Sequence, residues 1–103
     1  MKKTIFMVQF LWSTEDDSGE EHYHFWEYGA AYKKFNEIVT AECHPQMSWV
    51  GDLALDENGN VNQGYEAEIP AAPEGEEELR FYVADSDNRD IYSLITLERV
   101  EVQ

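Results

Sequence analysis

The sequence predicts an α+β domain, one helix packed on a mostly antiparallel sheet, with elements in the order β-β-α-β-β-β-β. Three observations carry this. Apolar residues recur with a period of two before residue 26 and again after residue 48. The period switches to the helical 3.6 only between Tyr28 and Val39. Turn-forming residues separate the segments.

Thr4 to Trp12 is the clearest strand, and both of its faces are apolar: Phe6, Val8, Phe10 and Trp12 on one, Ile5, Met7 and Leu11 on the other, with Gln9 interrupting the second. A strand buried on one side alternates with polar residues, so this one is central, or presents its second face to a partner. Ser13 to Glu20 reads as a hairpin loop with Glu15, Asp16 and Asp17 in succession, and Glu21 to Trp26 as the return strand. Tyr28, Tyr32, Phe35 and Val39, widened by Ala31 and Ile38, form a helical stripe. The helix is expected to stop near Cys43, because the residue before Pro45 disfavours the α region.

The second half reads as antiparallel strands. Trp49, Leu53 and Leu55 alternate inward before a turn containing Asn58-Gly59, a strong hairpin signal. Tyr65, Ala67 and Ile69 alternate with outward Glu66 and Glu68. After an acidic loop from Pro70 to Glu77, Leu79, Phe81 and Val83 form another inward row. A polar turn from Asp85 to Asp90 precedes the last strand. There the inward parity changes from Ile95 and Leu97 to Val100 and Val102, which predicts a β-bulge near Glu98–Arg99.

With 103 residues the whole chain, 1–103, is the size of one domain. Its 43% apolar and 14% aromatic content supports a core and argues against disorder, in spite of the charge. That charge is −15, from 22 acidic against 7 basic side chains. Direct nucleic-acid binding is disfavoured, since it needs cationic side chains to displace the counterions of phosphate. An anionic membrane is repelled too, and nothing approaches the ~20 apolar residues of a membrane span. The expected partner is a basic protein surface, unless the charge serves solubility alone. A lone Cys43 rules out an intrachain disulfide and fits a reducing, cytoplasmic setting. Composition of this kind is similar to that of many small acidic proteins encoded on phages and mobile elements, and no motif ties the chain to any of them.

Motifs for chemistry are sparse. His22 and His24 share a strand face and are weak metal candidates, with Cys43-His44 adjacent rather than spaced to converge on zinc. Asp56-x-Asn58-x-Asn60 begins like a calcium loop but has Val61 and Ala67 where glycine and glutamate belong. Asp85, Asp87 and Asp90 form a second acidic turn, of the composition that turns prefer anyway. No nucleophile elbow, phosphate loop or dinucleotide fingerprint occurs, so neither an enzyme nor a cofactor is expected.

Two surfaces remain as candidates. The first is an acidic face of Glu66, Glu68 and Glu78, extended by Glu74, Glu76 and Glu77 in the loop and by Asp85, Asp87 and Asp90 in the turn. Carboxylates two residues apart on a strand sit on the scale of successive nucleic-acid phosphates, so this face suits an inhibitor or mimic that occupies a basic groove. Acids also gather on solvated sheet edges, where they discourage aggregation. The second candidate is an apolar face of Ile5, Met7, Leu11 and Trp26, suited to self-association as a homodimer.

Overall fold

The computed structural model describes residues 3–14, 17–43, 60, 63–88 and 90–102. Two strands come first, β1 (Lys3–Ser13) and β2 (Ser18–Phe25), then helix α1 (Tyr28–Cys43), then β3 (Tyr65–Glu68), β4 (Leu79–Asp85) and β5 (Tyr92–Val102). The five strands make one sheet in the order β2-β1-β5-β4-β3, and every pairing is antiparallel. The α+β class and the one helix among the described residues follow the sequence pattern. The strand expected around Trp49–Leu55 and the Asn58-Gly59 turn lie outside the described residues.

The chain's first and last strands meet at the centre of the sheet. Their 11-residue ladder runs without interruption from Lys3↔Val102 to Ser13↔Tyr92. Side chains alternate across it, so Phe6, Val8 and Phe10 share a face with Arg99, Leu97 and Ile95. On that face Val8, Phe81, Val83, Ile95 and Leu97 are fully buried, and α1 closes the core with Ala31 and Phe35. The helix starts where a T-shaped contact joins Tyr28 to Phe6 at 5.4 Å, and Tyr28 stacks on Tyr32 one turn later. Its last turn carries Glu42, itself buried, which accepts a 3.4 Å hydrogen bond from the buried Ser93 hydroxyl.

Three expectations need correction. The hairpin loop is shorter than Ser13–Glu20, because β2 already begins at Ser18. Gly19 sits directly opposite Trp12, and a Cβ there would fall 2.6 Å from the Trp12 ring. The ring occupies the space a side chain would need, which extends the pairing toward the turn. No bulge interrupts β5 at Glu98–Arg99: Val100 pairs with Ile5 in register. The parity change instead marks apolar residues moving to the second face, while Arg99 takes the inward position with its guanidinium 5.8 Å from the Phe6 ring centroid. Finally, β3 stops at Glu68, and Ile69 is half exposed instead of inward.

Proline explains where β3 stops. Asp85 donates its N–H to Ile91 and Ser86 donates its N–H to Gly64, so the backbones of Ser86, Ala84, Tyr82 and Arg80 alternate toward β3. Continued two positions past Glu68↔Tyr82, the same register would set Arg80 opposite Pro70, which has no N–H to give to the Arg80 carbonyl.

Candidate functional site

The helix lies on one face of the sheet, and no described element packs on the other. Register assigns the residues of that second face row by row. One row crosses all five strands as Glu20–Leu11–Leu94–Tyr82–Glu68, spanning about 19 Å at the usual strand spacing. The next is polar, His22–Gln9–Thr96–Arg80, and the one after it is His24–Met7–Glu98. Beyond these lie Ile5 and Val100; on the other side, Tyr92–Ala84–Glu66.

Ile5, Met7 and Leu11 therefore share the second face, all of them half-buried. The Gln9–Thr96–Arg80 row separates Leu11 from Met7, so their apolar surface is divided. Trp26 stands apart from them. It follows the end of β2, is 68% exposed, and lines a cleft with Thr4, Phe6, Tyr28 and Glu76 at the start of α1. The Lys3 ammonium lies 5.8 Å from its ring centroid.

The acidic residues divide by position along β4. Glu66 and Glu68 project on the second face, about 6.7 Å apart along the strand. Glu68 holds the Arg80 guanidinium at 3.2 Å, and Arg80 also lies over the Tyr82 ring at 5.2 Å. Glu78, Glu98 and Glu68 line a common groove at the start of β4. Asp85, Asp87 and Asp90 cluster at the far end of β4, about 23 Å from Glu78 along the strand, but Asp85 pairs with Tyr65, one position from Glu66. They are held by local bonds: Asp85 Oδ1 accepts the N–H groups of Asp87 and Asn88, and Asn88 Oδ1 accepts that of Asp90. Such bonds make a turn, as its composition suggested.

The 74–78 loop is drawn toward the helix side. Arg99 donates to the Glu76 carbonyl at 2.9 Å and pairs with its carboxylate at 3.5 Å. Glu78 accepts the Arg99 backbone N–H at 3.2 Å, in place of a strand partner beyond the end of β4. The Tyr28 hydroxyl donates to the Glu77 carbonyl at 2.7 Å. Burial pushes that hydroxyl's pKa above the ordinary phenol value, against the opposing effect of the Glu77 hydrogen bond. Glu76 and Glu78 thus contribute to the fold, whereas the carboxylates of Glu66, Glu74 and Glu77 have no ion-pair partner among the described residues.

His22 and His24 are both exposed on the edge strand β2, with His22 Nε2 3.7 Å from a Glu20 carboxylate oxygen. No three metal-ligating side chains gather among the described residues. His44, Asp56 and Asn58 lie outside those residues, as does the side chain of Cys43. No helix among the described residues is long and apolar enough to cross a membrane. Glu98 joins the acidic groove without having been singled out from sequence. Its alternation with Thr96 and Leu94 was the available signal, obscured by the bulge expected beside it. Glu42 and Ser93 carried no local signal, since 51 positions separate them.

No family model, curated protein or solved structure matches this chain.

Proposed function

We propose that this chain is a non-enzymatic interaction domain whose β3–β4 side binds a basic protein surface, as an inhibitor or as a mimic of a nucleic-acid backbone. One observation carries the reading. The β3–β4 register sets Glu66 and Glu68 two residues apart on the face the helix leaves free, and Glu78 and Glu98 continue the acidic surface beyond them. A net charge of −15 steers a cationic partner toward the domain and repels nucleic acid itself. A lone cysteine fits the cytoplasmic setting that this reading expects.

Self-association through Ile5, Met7 and Leu11 is the competing reading, favoured by the half-buried Leu11–Leu94–Tyr82 stretch. Charge opposes it. A two-fold dimer presents the same patch to itself. The central row ends in Glu20 on one side and Glu68 on the other, so either in-plane two-fold sets carboxylate against carboxylate.

The test is a pull-down from a lysate of the source cells at low salt and at about 0.5 M, where the screening length falls to roughly 4 Å. The reading expects a basic, nucleic-acid-handling protein that is released by salt, displaced by its own nucleic acid, and lost with the Glu66→Gln/Glu68→Gln double variant. Retention of the same partner by that variant contradicts it.

A further inference from the structure

We infer that the outer edge of β2 pairs with the same edge of a second copy of the chain, in one antiparallel register centred on His22, and that acid strengthens the pairing. The surface is separate from the acidic β3–β4 side, which lies at the opposite end of the sheet. β2 is an edge strand: its eight residues pair with β1 on one side, and no described strand pairs with the other. Its backbone parity follows from the turn before it. Thr14 donates its N–H to the Asp17 carbonyl at 2.7 Å, which makes these two a hydrogen-bonded pair. Alternation from there turns the backbones of Gly19, Glu21, Tyr23 and Phe25 toward β1, and those of Ser18, Glu20, His22 and His24 outward. The Ser18 N–H is held by the Asp17 carboxylate at 2.9 Å. Glu20, His22 and His24 remain, all three exposed. An open row of N–H and carbonyl groups is a template for another strand.

Side chains select which strand. A two-fold axis perpendicular to the sheet sets β2 antiparallel to its own copy and closes the pair. Centred on His22, the pairing sets Glu20 opposite His24 of the second copy, and the reverse, on the face without the helix. On the helix side it sets Glu21 opposite Tyr23, whose ring carries the Lys34 ammonium at 4.4 Å. It also sets Gly19 opposite Phe25, an aromatic ring over a strand glycine. Neighbouring registers fail. Centring on Glu20 or Glu21 places that carboxylate against itself, and centring on Tyr23 sets His22 against His24. The charged side chains of β2 therefore guard the edge in these registers and leave one open. Acid acts through His24. Within its own copy, its face holds Met7, then Glu98 one strand further, and His22 along β2. Pairing adds a carboxylate directly opposite, so association takes up protons and strengthens as pH falls through the ordinary histidine value of about 6.5. His22 differs. Glu20 already lies 3.7 Å from it, and pairing sets it against the same imidazole of the second copy.

The experiment is sedimentation equilibrium of the full chain at pH 7.5 and 5.5, up to about 1 mM, with amide exchange read by NMR at high and low concentration. The expected result is a dimer whose Kd is about tenfold lower at pH 5.5. Exchange should slow on association at Glu20, His22 and His24, and stay as it was at Gly19, Glu21 and Tyr23. His24→Gln and His22→Gln each remove one titrating charge at an exposed position. The first should abolish most of the acid effect and the second should keep it. The inference is overturned if the chain stays monomeric at both pH values, or if a dimer forms without slower exchange at the three outward amides. Equal effects of the two histidine variants also overturn it, because they assign the acid response to bulk charge. A dimer that Leu11→Glu abolishes while those amides exchange freely belongs to the apolar face and not to this edge. Salt separates the pairing from the acidic-side reading: between two copies of charge −15, screening strengthens association, whereas it releases a basic partner.

Discussion

The two faces of the sheet are built from the same strands and obey opposite rules. On the helix side, Val8, Phe81, Val83, Ile95 and Leu97 form a continuous apolar layer sealed by Ala31 and Phe35. On the other side, apolar, polar and acidic rows succeed one another, and the central row ends in a carboxylate at each edge. Burial free energy comes from the first face, since apolar area removed from water contributes about 25 cal/mol per Å². The second face carries the charge pattern on which the proposed partner binding rests. A strand apolar on both sides, as β1 is, need not mean two cores.

Substitutions at the two faces test that division, and the largest effect is expected in the helix-side core. Phe81→Ala should cost about 3–5 kcal/mol in urea unfolding, as for other buried aromatics. Leu11→Ala on the second face should cost less than half as much. Equal losses would show that the second face is packed like the first.

A smaller effect is expected at the edge shared by both faces. Gly19→Ala places a methyl against the Trp12 ring and should cost about 1–3 kcal/mol, with a shifted Trp12 indole resonance. An unmoved resonance would mean that the close approach does not fix the hairpin. Tyr28→Phe removes the bond to the Glu77 carbonyl and should cost about 0.5–1.5 kcal/mol. Its pH signature is distinct. The Tyr28 pKa is raised in the folded state, so the folded form holds its proton longer than the unfolded form. Stability from this group is complete below pH about 10 and is lost as pH rises through the folded value. Tyr28→Phe should flatten that alkaline decline; an unchanged slope would assign the decline to other groups.

The smallest effect on stability should come from Arg80→Ala, about 0.2–1 kcal/mol for an exposed pair. The same change frees Glu68 and should tighten binding of a basic partner. Weaker binding would show that Arg80 recognises the partner instead of masking an acid.

Much of the fold was legible because its signals are local. The 3.6 period fixed α1 from Tyr28 to Cys43, and alternation fixed the faces of β1 and β4. Misplaced features depended on register. Ile69 fits an inward strand pattern although β3 ends before it, at Glu68, and the valines at the end of β5 look like a bulge until Val100 is seen beside Ile5. The candidate site divides in the same way. Glu66 and Glu68 could be placed on one face by alternation alone. That Arg99 engages Glu76 and Glu78 depends on β5 returning beside the start of β4, more than 20 positions away.

The most direct test compares acids on the two faces at equal charge. Binding of the captured basic partner is measured for Glu66→Gln/Glu68→Gln and for Glu27→Gln/Glu37→Gln, whose exposed carboxylates belong to the helix side. The account predicts a loss of about tenfold or more for the first pair and little change for the second. Equal loss from both would reduce the acidic face to bulk charge and contradict the division of the sheet into a stabilising side and a binding side.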